Sequence, residues 1–123
     1  MLLKKCIVEN KDLGSCYEMR IRCDGETKTK LEEILGSSSD ESERGWSLTI
    51  NEDSSKYNDA LNIFIDLVAK NLSNLTEIGV PVDMITFWYL YAYEQQCNME
   101  FWPGITKKIG DLGIVLCISC WEK

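Results

Sequence analysis

The fold of this chain is decided by the segment Met84-Ile85-Thr86-Phe87-Trp88-Tyr89-Leu90-Tyr91-Ala92-Tyr93. It is dense in β-branched and aromatic residues and is apolar on both alternating faces, a pattern typical of a strand that is covered on both sides. Alternation places one row, Phe87, Tyr89, Tyr91 and Tyr93, on one face and the other row, Trp88, Leu90 and Ala92, on the opposite face. The segment therefore predicts the central strand of a sheet.

The residues that follow predict a hairpin, a short helix and a last strand. Glu94-Gln95-Gln96 favours a turn, and Cys97, Met99 and Phe101 alternate with polar residues as a hairpin partner would. Pro103 suits the first turn of a helix that carries Ile105 and Ile109. Gly110 and Gly113 lead into an apolar strand over residues 114–121.

The residues before the central strand predict three more strands and two helices. We expect strands over 3–9, 16–23 and 46–50, the last two with the alternation of a half-buried strand. A short helix carries Leu31, Ile34 and Leu35 and ends at Gly36. A long amphipathic helix begins after an N-cap at Ser54 or Ser55, and Gly79-Val80-Pro81 ends it.

Together these elements predict one α+β domain over residues 1–123. The order is β-(β)-α-β-α-β-β-α-β, and the hairpin implies a mixed or mostly antiparallel sheet. We expect a two-layer sandwich of five or six strands with two or three helices on one face. The length of 123 residues is enough to bury one ordinary core.

Negative charge is concentrated in the middle of the chain. Residues 32–106 hold thirteen Asp or Glu against three cations, although the whole molecule has a net charge of only −7. Residues 32–53 alone contribute −6. Such a segment repels phosphates, which argues against nucleic acid as a partner, and it favours a basic protein.

The sequence also argues against catalysis. It contains no histidine, the side chain best suited to proton transfer near neutral pH and the commonest metal ligand. Glycine-rich phosphate loops, nucleophile elbows and dinucleotide fingerprints are missing as well. We therefore expect no enzyme activity, no catalytic residues, no metal and no cofactor.

The six cysteines are expected to be reduced thiols in apolar segments. Cys117 and Cys120 have the CxxC spacing, but in a strand residues three apart point to opposite faces, so their sulfurs should diverge. No apolar run is long enough for a signal peptide or a spanning helix. The chain is therefore expected in the cytoplasm, without a membrane partner.

Two groups of residues are candidates for binding a partner. The first lies in and after the acidic stretch and comprises Asp40, Glu41, Glu43, Trp46, Glu52 and Asp53. The second lies at the end of the central strand and comprises Tyr91, Tyr93 and Glu94, because tyrosines on a rigid strand are favoured anchors of protein interfaces.

The chain resembles a small family of bacterial domains of unknown function that includes proteins from toxin–immunity clusters. Three parts carry the resemblance: Tyr17-Glu18-Met19-Arg20-Ile21-Arg22, Gly45-Trp46-Ser47-Leu48-Thr49-Ile50, and Trp102-Pro103-Gly104-Ile105 through Leu116. The extra N-terminal segment through Gly14 and the long Ser/Asp/Glu loop depart from the pattern. The resemblance implies a cytosolic immunity protein of contact-dependent growth inhibition, with no catalytic residues.

Charge and resemblance together predict an immunity protein that neutralises one cognate, basic, nuclease-type toxin domain by tight non-covalent binding. We expect the free protein to be a monomer. One alternative is a small-ligand sensor with a pocket between the aromatic strand and the long helix. Another is a subunit of a homo-oligomeric assembly that pairs through its sheet face.

Overall fold

Strands and helices alternate strictly along the described part of the chain, residues 15–51, 59–94 and 99–122 of a computed structural model. The strands are β1 (Cys16–Arg22), β2 (Gly45–Asn51), β3 (Ile85–Tyr93) and β4 (Val115–Glu122). The helices are α1 (Gly25–Leu35), α2 (Asp59–Glu77) and α3 (Pro103–Leu112), and a turn of 3-10 helix, Val82–Met84, precedes β3. The α+β class is confirmed.

The four strands form one mixed sheet in the order β2-β1-β3-β4. β1 is antiparallel to both β2 and β3, whereas β3 and β4 are parallel and are joined through α3. The predicted central strand, β3, is thus an interior strand of the sheet. The described sheet has four strands rather than the expected five or six.

The predicted hairpin after the central strand is wrong. β3 pairs with β1 over residues 85–90 and with β4 over residues 86–93, so both of its neighbours in the described sheet are strands other than the predicted hairpin partner. Residues 99–102 are accordingly not a strand. The rest of that hairpin, the expected strand over 3–9 and the expected N-cap at Ser54 or Ser55 lie outside the described residues.

Local sequence signals set the ends of two helices. Asp24 caps α1, since its Oδ1 accepts a hydrogen bond of 2.7 Å from the Thr27 backbone N–H. Pro103 opens α3, and Gly113 ends it with φ at 79°, a conformation that glycine adopts without strain. The predicted end of α1 at Gly36 is also confirmed, with φ at 101°.

The main core lies between the sheet and the helices. The stripe of α2 faces the central strand, and the Phe64 and Phe87 rings lie 5.5 Å apart between centroids. Across β1 and β3, Tyr17 stacks on Tyr89 at 4.5 Å. Each helix adds buried residues to this one cluster, which places all three helices on the same face: Leu31, Leu61, Phe64, Val68, Ile105 and Ile109.

The opposite face of the sheet also carries buried side chains. Cys16 and Leu90 form a second, smaller apolar cluster, with Trp88 and Trp121 packed against it. Leu90 of the central strand is thus buried on this face, while Trp88 is half-buried, so coverage of the strand on both sides stays a prediction. No helix among the described residues is both long and apolar enough to span a bilayer.

The cysteines divide into two kinds. Cys23, Cys117 and Cys120 are thiols, and the register of β4 places Cys117 beside Trp88 and Cys120 beside Tyr91, on opposite faces as predicted. Cys16, however, is disulfide-bonded. The expectation of reduced thiols throughout is wrong for this residue.

Candidate functional site

The stretch predicted as an exposed acidic loop, residues 37–44, is held along the outer edge of β2. The Ser39 N–H donates to the Ser47 carbonyl at 2.7 Å, and the Ser47 N–H donates to Ser38 Oγ at 3.0 Å. The Thr49 N–H donates to Ser39 Oγ at 3.2 Å. We call residues 37–44 the acidic loop, and these bonds fix its first half against the sheet.

The second half of the acidic loop is held by a lysine of α1 and by hydrogen bonds within the loop itself. Lys28 Nζ donates to the Asp40 carbonyl at 2.7 Å and also to the Ser42 carbonyl. The Asp40 carboxylate accepts the Ser42 N–H at 2.8 Å and the Ser42 hydroxyl at 3.0 Å. Asp40 is therefore half-buried within the turn, while Glu41 and Glu43 are exposed to solvent.

Trp46 is a buried residue and not the surface contact that the sequence predicted. Its side chain is 1% exposed, because alternation along β2 turns it towards the helices. Its indole N–H donates to the Gly36 carbonyl at 3.0 Å. Trp46 thus supports the start of the acidic loop from inside the core.

The second predicted group lies at the other end of the sheet. The acidic loop leads into Gly45, which the register places near the start of β3, whereas Tyr93 is the last residue of β3 and Glu94 follows it. Eight residues of strand separate the two ends, about 26 Å. Tyr91 is half-buried against the core, and Glu94 is exposed.

The structure therefore does not bring the two predicted groups together. Glu52 and Asp53 lie outside the described residues.

Two adjoining clefts open at the loop end of the sheet. The larger has a volume of about 510 Å³ and is lined by Arg22, Cys23, Asp24, Gly25, Glu43, Arg44 and Met84. The smaller has a volume of about 310 Å³, and its walls share Arg22 and Met84 with the larger. Its remaining lining residues are Arg20, Ile21, Asp40, Gly45, Trp46, Asp83, Thr86 and Trp88.

A polar cluster on the sheet face opposite the helices adjoins the smaller cleft. Glu18 is 0% exposed; Arg20 Nε donates to its Oε1, and the Thr49 hydroxyl donates to its Oε2 at 3.1 Å. The Arg20 guanidinium lies 4.2 Å from the centroid of the Trp88 ring, close enough for a cation–π contact. The indole N–H of Trp88 in turn donates to Thr86 Oγ1 at 2.9 Å.

Sequence reasoning missed this cluster. The available signal was the alternation of Glu18, Arg20 and Arg22 along β1, which already placed the three charges on one face. What the sequence could not show is that β3 would bring Trp88 beside that face.

Cys23 lines the larger cleft. Burial raises its pKa, and the nearby Lys28 ammonium opposes that rise only in part. Burial therefore makes Cys23 a poorer nucleophile near neutral pH than an exposed cysteine. Among residues 15–51, 59–94 and 99–122, no group of three or more acidic or cysteine side chains is placed to hold a metal ion.

The alternative of a small-ligand sensor would need a pocket between the aromatic strand and the long helix. Phe64 and Phe87 meet there and both are fully buried.

Comparison of the chain with models of protein families, with curated proteins and with solved structures finds no match.

Proposed function

We propose that this protein is an immunity-type inhibitor that binds one basic, nuclease-type bacterial toxin domain tightly and without covalent chemistry. The observation that carries the proposal is the anchored acidic loop, on which Glu41 and Glu43 are exposed at positions fixed by hydrogen bonds to β2 and α1. The family resemblance supports the same reading.

A fixed loop is a better recognition surface than a flexible one. Ordering a flexible loop on binding costs free energy for each immobilised side chain, whereas a pre-formed loop avoids most of that cost. Complementary charge also raises the association rate and excludes partners of the wrong sign. The net charge of −7 means that the molecule as a whole also attracts positively charged partners.

Further carboxylates lie at the same end of the sheet. Asp24 and Glu43 line the larger cleft, and Asp83 lines the smaller one. A partner seated over this end would meet these groups together with the acidic loop. Such an interface is expected to bury about 1,600 Å² in total, the usual size of a specific protein complex.

The experiment that tests the proposal titrates the protein against a toxin domain. The target is the C-terminal domain of a large secreted effector, which the proposal expects to be encoded beside this chain. Stoichiometric loss of its nuclease activity, together with a monomeric inhibitor by light scattering before mixing, is the expected result. A gene neighbourhood without such an effector, or full nuclease activity at about 10 μM inhibitor, which would occupy about 90% of a site with a Kd of about 1 μM, would contradict it.

The proposal places the protein in the cytoplasm, and Cys16 tests that placement. Thiols are kept reduced in that compartment, whereas disulfides persist in oxidising ones. Because the structure has Cys16 in a disulfide, the cytoplasmic placement requires that this bond form only after the cells are opened. Alkylation inside acid-quenched cells, followed by mass spectrometry, should then find Cys16 as a thiol. A Cys16 disulfide that is already present in intact cells would place the protein outside the cytoplasm.

A further inference from the structure

Arginine is concentrated at one place in this molecule. The sequence has three arginines, Arg20, Arg22 and Arg44, and all three line the two clefts at the loop end of the sheet. Arginine differs from lysine in presenting a planar fork of N–H donors that matches the two oxygens of a carboxylate. The placement of these residues in an acidic protein calls for a chemical reason.

Arg20 is held in one orientation before any ligand arrives. Its Nε is bonded to the fully buried Glu18, and its plane rests near the face of Trp88 at 4.2 Å. Thr49 fixes the other oxygen of Glu18. A guanidinium restrained on two sides loses little conformational freedom when it binds a ligand.

The Nη side of Arg20 is the side that Glu18 does not use. Within the part of the chain that the structure describes, the Nη groups have no acceptor, and the side chain is 27% exposed in the wall of the smaller cleft. Arg22 lines the same cleft, is exposed, and has no ion-pair partner among the described residues. The cleft therefore offers two sets of unoccupied cationic donors.

The other walls decide which anion fits. Trp88 and Met84 supply apolar surface, while Asp40 and Asp83 add negative charge. That charge disfavours a doubly charged phosphate more than a singly charged carboxylate. The volume of about 310 Å³ is at the lower end of the range for small-molecule sites.

We propose that the smaller cleft binds a carboxylate group, held by the Nη side of the Arg20 guanidinium and by Arg22, with an apolar body against Trp88 and Met84. This site adjoins the toxin contacts proposed for the acidic loop, since Asp40 and Asp83 line the cleft, but its cationic donors are not among those contacts. Its carboxylate comes either from a free small acid or from an acidic side chain of a partner protein.

The test uses three probes of one shape on the whole protein. Benzoate, benzamide and benzylammonium are titrated into protein labelled with nitrogen-15, and the three arginine Nε–H signals are followed by NMR. Benzoate is expected to shift the Arg20 and Arg22 signals saturably, with an affinity about tenfold higher than that of either other probe, since charge-assisted bidentate bonds are the strong ones.

Matched variants distinguish benzoate binding in the smaller cleft from a general effect of positive charge. Arg22→Gln should weaken benzoate binding about fivefold, whereas Arg44→Gln, the same charge change in the larger cleft, should alter it less than about twofold. Arg20→Lys keeps the charge beside Glu18 but removes the fork, so about tenfold weakening is expected. Because the comparison of probes is made on the unaltered protein, it stands even if Arg20→Lys fails to fold.

The results that would overturn the proposal are specific. They are benzylammonium binding at least as tightly as benzoate, shifts confined to Arg44, or no saturable shift up to about 20 mM benzoate. N-acetylaspartate N-methylamide distinguishes the two sources: tighter binding than benzoate indicates a partner's side chain, and weaker binding indicates a small acid. No toxin is present in this experiment, so its failure is distinct from failure of the proposed function.

Discussion

Single residues show most clearly what pattern alone can and cannot predict. Alternation assigned Trp46 correctly to a strand, but it gave no means of telling which face of that strand would be covered. The face is set by α2, whose stripe packs against the same side as Met19 and Phe87. Glu18 is the opposite case. Its charge alone predicts an exposed side chain, but Glu18 is buried, with Arg20 and Thr49 as its hydrogen-bond partners.

Phe64 is predicted to be a main contributor to stability. It is fully buried in the contact between α2 and the central strand, so Phe64→Ala should lower the free energy of unfolding by about 4 kcal/mol through lost burial and the cavity left behind. Urea denaturation followed by circular dichroism measures the change.

Leu72→Ala is the matched control for Phe64→Ala on the same helix. Its side chain is 39% exposed, so the expected loss is less than about 1 kcal/mol. Equal losses for the two variants would contradict the assignment of the core.

At the scale of elements, helices and strands with strong local signals were predictable and their pairing was not. The caps of α1 and α3 could be read from Gly36, Pro103 and Gly113, because those residues limit the backbone locally. The hairpin failed because polar–apolar alternation over 97–101 says nothing about competition for the edge of β3. β4, which follows α3 in the chain, pairs with that edge.

The cap of α1 gives a prediction with a defined pH dependence. Bonds from Thr27 to the Asp24 carboxylate lower the pKa of that group. A lowered pKa in the folded state means that the stabilisation is complete above the pKa of the unfolded chain and is lost as the pH falls through the folded value. Asp24→Ala should therefore lower the melting temperature by about 4 °C at pH 7.

The difference between Asp24→Ala and the unaltered protein should shrink when calorimetry is repeated below about pH 4. Asp24→Asn serves as the control, since asparagine also caps helices but does not titrate. A difference that is the same at pH 7 and at low pH would show that the Asp24 charge plays no part.

The tether between α1 and the acidic loop gives a second prediction at this scale. Lys28→Met removes both bonds to loop carbonyls, so the amides of Ser39 and Ser42 should exchange with deuterium about tenfold faster. Lys30→Met is matched in charge and lies on the same helix, but the ion pair of Lys30 is with the exposed Glu26 at 3.8 Å and not with the acidic loop. It should leave those amides unchanged; equal effects would mean that the loop is not held by Lys28.

For the molecule as a whole, the charge segregation was predictable from the sequence and its geometry was not. The acidic loop directly precedes β2, and Tyr91 and Tyr93 lie at the end of β3. The strand register places these two regions at opposite ends of the sheet. Only the strand register reveals this separation, because each strand runs from one end of the sheet to the other. We therefore propose that recognition uses the loop end alone, where the clefts and the exposed carboxylates lie together.

The most direct test of that account compares two charge reversals of equal size. Glu41→Lys with Glu43→Lys inverts the acidic loop, while Glu32→Lys with Glu33→Lys changes the net charge equally on exposed positions of α1. Asp40 is left intact, because its carboxylate holds the turn.

Stopped-flow association with the neighbouring effector domain is measured for both variants from low to high salt. The loop reversal should slow association about tenfold or more at low salt and flatten the salt dependence, and the α1 reversal should do markedly less. Equal association rates for the two variants would contradict recognition through the acidic loop.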